Sequence, residues 1–314
     1  MEVLTEIDRD RISALLARDE FFWLDLTGPS DADLDTLGEL LDLHELALED
    51  TREFGQRPKL DRYRNGVLLV FYSARANPEG KPVETIEVHM HISGGYLFSA
   101  RAGECSALDR LHATLTPGED ESEEYMIYRV LDALTDALFP VIGELERRID
   151  ALEERVLAEP DREQLSHIYR IKQEVQGLLR LMVPQREQFG AATDAILDLP
   201  GLEQSSRAYL RDVGDHLAQV TSELYRQTDD LGALTSTYFN ANANRLNRLA
   251  TRLTVLATFF LIWTLVTSFF GQNFRWLTDH IDSFGTFLIY ETIGLVLPTA
   301  VAAVIFWRRR KDWL

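Results

Sequence analysis

The sequence predicts an α/β cytoplasmic domain plus an α-helical hairpin and a long stalk helix, followed by two transmembrane helices. Three observations carry this expectation. Two long apolar runs lie near the C-terminus, a 69-residue stretch without proline from Leu202 to Phe270 ends in the first, and alternating apolar patterns with turn signals occupy the N-terminal part. Charge divides the same way. Up to Asn244 there are 24 Lys and Arg against 47 Asp and Glu, a net of −23; from Arg245 onward there are 8 against 4, a net of +4. A basic footprint for nucleic acid is therefore missing. The acidic part is explained by ordinary solubility more simply than by concentration of cations at its surface. Cys105 is the only cysteine, so no disulfide forms within the chain, which fits a reducing compartment.

Residues 1–118 read as the α/β domain. Asp33–Leu48 has a helical pattern. Asn65-Gly66 is a hairpin turn between Lys59–Tyr63 and the apolar run Val67–Tyr72. Thr85–Ile92 alternates, with Ile86, Val88, Met90 and Ile92 on one face and Glu87, His89 and His91 on the other. Tyr96–Ala100 reads as another strand. Glu87, His89 and His91 have the spacing of a Zn²⁺ site, but a solvated or partner-covered strand face is the simpler reading. No P-loop, nucleophile elbow, G-x-G-x-x-G or H-E-x-x-H is present, so an enzyme is not expected.

Residues 119–200 read as the helical hairpin. Its acidic start, Glu119 to Glu124, suits a solvated linker or a helix N-terminus. Ile127, Leu131, Leu134, Leu138, Val141, Leu145, Ile149, Leu152 and Val156 recur at steps of three and four, a seam for packing on another helix. Pro140 is expected to kink it. Glu159-Pro160 ends it and Asp161 caps the return, whose face is Leu165, Ile168, Val175, Leu178 and Met182. Residues 201–252 are the stalk helix. Continued to Phe270 at about 1.5 Å per residue, one helix would span ~100 Å. Such a helix needs partners, most simply copies of itself.

Residues 253–270 are the first transmembrane helix: Leu253–Phe270 holds 18 residues without a charge, close to the ~20 a bilayer core requires. The second apolar run extends from Phe284 to Trp307, with 287–307 as the span and Glu291 as its only charge. Residues 271–286 form an external loop and 308–314 a basic tail. Arg245, Arg248 and Arg252 precede the first span, and Arg308, Arg309, Arg310 and Lys311 follow the second. The loop carries Arg275 against Asp279 and Asp282. The positive-inside rule places both termini in the cytoplasm, in accord with the lack of a signal-peptide pattern at the N-terminus. Trp276 and Trp307 sit near the expected interfaces.

Alternating steps of three and four trace a seam through Asn247, Ala250, Thr254, Ala257, Leu261, Thr264 and Ser268 to Asn273. Small residues let helices approach closely. Hydroxyls and amides can face water in a pore, and one apolar ring at Leu261 can gate by dewetting. Thr and Ser also bond to their own helix backbone, so the seam leaves two readings open. Gly271-Gln272-Asn273 then supplies hard oxygen ligands of the kind Mg²⁺ favours, or simply a helix C-cap.

These residues resemble the CorA family of divalent-cation transport proteins. That family carries Gly-Met-Asn and an aromatic after its first span, where this chain has Phe270-Gly271-Gln272-Asn273-Phe274. Its basic tail ending in Trp-Leu is matched by Arg308-Arg309-Arg310-Lys311-Asp312-Trp313-Leu314. Its Tyr-x-Arg-Asp-Val-x-Asp-His pattern is matched by Tyr209 to His216. Leu48-Glu49-Asp50, Gln56-Arg57-Pro58-Lys59 and Ile149 to Leu157 are similar as well, so the likeness covers nearly the whole chain in order. The resemblance implies a funnel-shaped homopentamer in the lipid bilayer with a central cation pore. Gly271, Gln272 and Asn273 would form the outer ion ring. Asn247, Leu253, Ala257, Leu261, Thr264 and Ser268 would line the pore, with Leu253 taking the place that spacing alone gives Thr254. Asp212 matches an acidic position of a regulatory metal site between protomers, and Glu79 lies in the loop expected to supply its partner. No resident cofactor is implied; Mg²⁺ or another divalent cation is substrate and regulator. Gln272 departs from the family methionine, and altered middle residues occur in zinc-transporting relatives. Ile262 replaces a usual proline, and the outer loop offers only Asp279 and Asp282 as acids. A zinc or transition-metal carrier, proton-coupled or not, and a non-conducting membrane-anchored sensor are thus the competing readings.

Overall fold

The computed structural model describes residues 2–77, 81–115, 122–203, 206–272, 275–281 and 283–308, with the side chains of 276–278 and the other residues outside the description. The chain divides into two compact units, Met1–Arg155 with Arg162–Thr235, and Val156–Asp161 with Ser236–Leu314.

The first unit begins with β1 (Glu2–Leu4), α1 (Arg9–Ala17), β2 (Phe22–Thr27), α2 (Asp31–Leu40) and α3 (Glu45–Arg52). There follow β3 (Lys59–Arg62), β4 (Val67–Arg75), β5 (Glu84–Ile92), β6 (Tyr96–Arg101) and α4 (Ser106–Thr114). The strands form a mixed sheet in the order β1-β2-β6-β5-β4-β3, parallel across β1, β2 and β6 and antiparallel beyond. The Asn65-Gly66 turn closes as expected: Tyr63 N donates to Gly66 O at 2.8 Å, and Lys59 pairs with Val70. Ile12, Leu15, Phe22, Leu24, Leu34, Leu37 and Phe98 are all 2% exposed or less, which places the core between the sheet and α1–α3.

The helix expected over Asp33–Leu48 is instead two. Asp42 has φ 51°, a left-handed conformation that ends an α-helix, and His44 Nδ1 then accepts from Leu46 N to start α3. The strand face of Glu87, His89 and His91 is buried rather than solvated or partner-covered, because α3 and the loop after it lie over it. His89 Nε2 is 2.7 Å from Glu87 Oε1, and His91 Nε2 is 2.8 Å from Thr51 Oγ1. Each imidazole thus spends its Nε2 on a bond within the fold, and among the described residues Glu87, His89 and His91 do not converge as a three-ligand metal group.

Next come α5 (Glu123–Asp136), α6 (Leu138–Ala158), α7 (Arg162–Leu197) and α8 (Arg207–Phe270). Ser122 caps α5, its hydroxyl accepting from Tyr125 N at 3.3 Å. The expected kink at Pro140 is a break at Ala137, three residues earlier. That puts the proline in the first turn of α6, where its missing N–H costs no helical bond. The α6–α7 pair is held by the partly buried ion pair of Arg148 and Glu174, with both guanidinium nitrogens at 2.8 Å. Leu165 is half-buried, while Ile168, Val175, Leu178 and Met182 are buried as expected. On α7, Gln185 completes β4. The pairing of β3 stops at Val70, so the outward N–H and C=O of Tyr72 lack a strand, and the Gln185 amide meets them at 2.6 and 3.0 Å.

Helix α8 starts five residues later than Leu202 and runs unbroken for 64 residues. Gly201 (φ +92°) precedes it, and Gly94 packs so closely there that a Cβ would lie 1.8 Å from Pro200 O. In the second unit, α9 (Arg275–His280) and α10 (Phe284–Arg308) follow. The C-terminal part of α8 and all of α10 are long and apolar enough to cross a membrane, with mean hydropathy 2.0 and 1.9 over their best windows.

A candidate pore-lining face and an acidic–histidine cluster

In the second unit, α8 and α10 pack along one side of each helix. The Phe270 and Phe287 rings meet at 6.1 Å, as do Phe259 and Phe306, and Trp263 Nε1 donates to Thr299 Oγ1 at 3.1 Å. Gly294 admits this approach: a Cβ there would sit 3.3 Å from Phe270 and 3.4 Å from Val266. The α8 residues turned this way, Val255, Phe259, Ile262, Val266 and Phe270, are half-buried.

Ala257, Leu261, Thr264 and Ser268 are exposed, Leu261 to 72%. At 3.6 residues per turn they fall within an arc of about 60°, roughly opposite the row that packs on α10. Asn247 and Leu253 are exposed too, Leu253 to 68%, with Leu253 and Thr254 on either flank of the arc. The seam read from the sequence thus lies within the wider part of α8 that the described residues leave exposed, together with Leu256, Phe260, Leu265 and Phe269. Its hydroxyls bond back to the helix: Thr254 Oγ1 donates to Ala250 O at 2.9 Å and Thr264 Oγ1 to Phe260 O at 2.7 Å. A hydroxyl bonded this way keeps its oxygen lone pairs outward, available to a hydrated cation. Gly271 N closes the helix on Thr267 O at 3.0 Å, and Gln272 is exposed beside it. Asn273 lies outside the described residues, as do Glu79, Asp282, the Trp276 side chain and the tail from Arg309 to Leu314.

A second constellation lies in the first unit. Asp212 and His216 stand one turn apart on α8, and Asp132 faces them from α5; a ligand atom from each lies within 4.8 Å of the other two. Asp136 Oδ1 approaches His216 Nδ1 at 3.5 Å, and the Tyr128 hydroxyl donates to Asp212 Oδ2 at 3.2 Å. Asp132 Oδ1 and His216 Nδ1 are buried without a hydrogen-bond partner among the described residues. Burial, then Asp136, pushes the Asp132 carboxyl above its ordinary value, with His216 opposing. Burial and then Asp132 and Asp212 likewise raise Tyr128. Two carboxylates and an imidazole nitrogen converging on orphaned atoms fit a divalent cation, which would satisfy both atoms and offset the repulsion. Sequence reading singled out Asp212 and missed Asp132 and His216 as its companions. The available signal was Tyr128, Asp132 and Asp136 at steps of four, a polar stripe along one face of the helix.

A family model described as CorA-like Mg2+ transporter protein matches residues 18–310. The chain is 26% identical over 298 residues to the cobalt/magnesium transport protein CorA of Thermotoga maritima, covering 93% of this chain and 83% of that one. It is 26% identical over 261 residues to the zinc transport protein ZntB of Pectobacterium atrosepticum, covering 82% and 77%. The complete structure of the CorA magnesium transporter from Methanocaldococcus jannaschii superposes with a TM-score of 0.76 at 18% identity, over 93% of this chain and 91% of that one, so the fold is shared. With its α/β domain, long helix and paired apolar C-terminal helices, the chain belongs to the family of CorA-like transporters of divalent metal ions, which are not enzymes.

Proposed function

We propose that this protein is a membrane channel for Mg²⁺ or a related divalent cation, built as a homopentamer around the uncovered face of α8. The observation that carries the reading is the opposition of two rows on one helix: the apolar row packs on α10, and the row of Ala257, Leu261, Thr264 and Ser268 is left exposed by the described residues. Copies arranged around an axis would cover that row and enclose a polar path narrowed at Leu261. In this reading Gly271, Gln272 and Asn273 would form the outer ion ring, where carbonyl and amide oxygens replace or contact the waters of the ion. Both termini lie in the cytoplasm, on the side of the arginines that flank the spans. The membrane potential drives the ion inward, at about 4.6 kcal/mol for a double charge per 100 mV. A divalent cation at Asp132, Asp212 and His216 would join α5 to the stalk and report cytoplasmic ion level to the helix that lines the pore.

A zinc-selective reading is favoured by Gln272 and by the likeness to a zinc transport protein. Purified protein in liposomes, with internal Mg²⁺ and Zn²⁺ dyes at matched and unmatched pH, separates the two. Mg²⁺ entry lost in Asn273→Ala with assembly intact supports the channel as stated. Zn²⁺ entry alone would transfer the reading to transition metals, and silence for both ions would leave a non-conducting sensor.

A further inference from the structure

Arg245, Arg248 and Arg252 stand at i, i+3 and i+7 on α8 and so share one helix face. All three are exposed. Arg245 Nη1 donates to the Pro160 carbonyl at 2.9 Å, which draws the turn after α6 against this face. The result is a cavity of about 550 Å³ walled by the three arginines, Leu249 and the Ala158–Pro160 turn. Glu159 is the carboxylate in that wall, so three guanidinium groups face one anion. Arg245 is anchored by its carbonyl. Arg248 and Arg252 make no ion pair among the described residues.

We infer that this cavity binds the phosphate of an anionic phospholipid headgroup. The inference rests on residues 253–270 crossing a bilayer, and on no other part of the functional reading. Arg252 is the last charged residue before that apolar run. The cavity therefore stands at the level where headgroups meet hydrocarbon. Planar guanidinium forks match phosphate oxygens bidentately, which a single ammonium does not. Leu249 adds an apolar wall for the glycerol end of the lipid. The net positive charge selects anionic over zwitterionic headgroups. Placement at the hydrocarbon edge selects a lipid over a free anion.

The test uses the full chain in neutral detergent, read by native mass spectrometry and by Tm, with phosphatidylglycerol, phosphatidylcholine or inorganic phosphate added. Phosphatidylglycerol is expected to be retained and to raise Tm, while the other two leave it unchanged. The double variant Arg248→Gln/Arg252→Gln should retain phosphatidylglycerol about 30-fold more weakly, from ~1 kcal/mol per arginine near a membrane surface. Its lipid-free Tm and oligomer size should stay as in the parent. Arg248→Lys/Arg252→Lys should recover part of the retention. Equal retention by the parent and the Gln variant overturns the inference. So does an equal Tm rise with inorganic phosphate, which would mark a free-anion site. A change of oligomer size in the Gln variant without lipid also overturns it, because the arginines would then bind another copy. Retention is read without ion flux, so a protein that conducts nothing can still pass, and one that conducts can still fail.

Discussion

Asp132 Oδ1 on α5 and His216 Nδ1 on α8 lie 3.6 Å apart, both buried, and neither makes a hydrogen bond among the described residues. Such a pair is costly unless something outside the chain completes it, since a buried unpartnered polar group costs ~1–3 kcal/mol. A divalent cation is the simplest completion. Adding Mg²⁺ or Zn²⁺ to metal-free protein is expected to raise its stability, by about 2.7 kcal/mol at a hundredfold excess over Kd. In Asp132→Asn and Asp212→Asn most of that rise should vanish, as measured by Tm with and without chelator. An undiminished rise in both variants would place the ion elsewhere.

His91 gives a pH dependence that is independent of metal. Burial, then the neighbouring His89, depresses its pKa from 6.5 to about 3. Between those values the unfolded chain binds a proton that the folded chain refuses. Stability contributed by the neutral form is thus fully present above pH 6.5 and is lost as pH falls toward 3, at up to about 1.4 kcal/mol per pH unit. Thermal unfolding between pH 7.5 and 5 should show the loss, and His91→Gln should flatten it. A slope equal in parent and variant would assign the effect to other groups.

The contact of α8 with α10 depends on Gly294 being small. A side chain there meets the Phe270 ring and Val266 within 3.4 Å, and both belong to a packed row. Gly294→Leu is expected to force the helices apart and lower Tm by several degrees. Thr299→Val, which removes the acceptor of Trp263 but keeps its volume, should cost only about 0.6 kcal/mol. The reverse order of severity would mean that the hydrogen bond, not the packing, holds the pair.

Leu261 is the bulky apolar member of a face otherwise made of small and hydroxyl residues. Leu261→Ala is expected to raise resting Mg²⁺ leak several-fold in liposomes, with little change in protomer stability because the side chain is exposed within its own chain. A leak equal to that of the parent would remove Leu261 as the narrow point.

Much of this was legible in the sequence because its signals are local. The Asn65-Gly66 hairpin, the alternation over Thr85–Ile92 and the two apolar runs each follow from residue type at short spacing. What the sequence left unread depends on contacts between distant segments. Asp132 joins Asp212 and His216 only because α5 packs on α8, about eighty residues later. The break at Asp42 is set by a left-handed residue that no glycine announces. His89 and His91 read as a solvated or partner-covered face because the helix that buries them, α3, comes from forty residues earlier. The proposed seam leaves Leu253 and Thr254 on its two flanks, one helical position apart.

Thiol accessibility along α8 tests the pore face most directly. In a Cys105→Ser background, single cysteines at Ala257, Thr264 and Ser268 should react with a charged, water-soluble thiol reagent and lose cation flux. Cysteines at Phe259 and Val266, on the side packed against α10, should stay unreacted and keep it. Block at Phe259 and Val266 with none at the seam would contradict the pore placed here, and with it the proposed path of the ion.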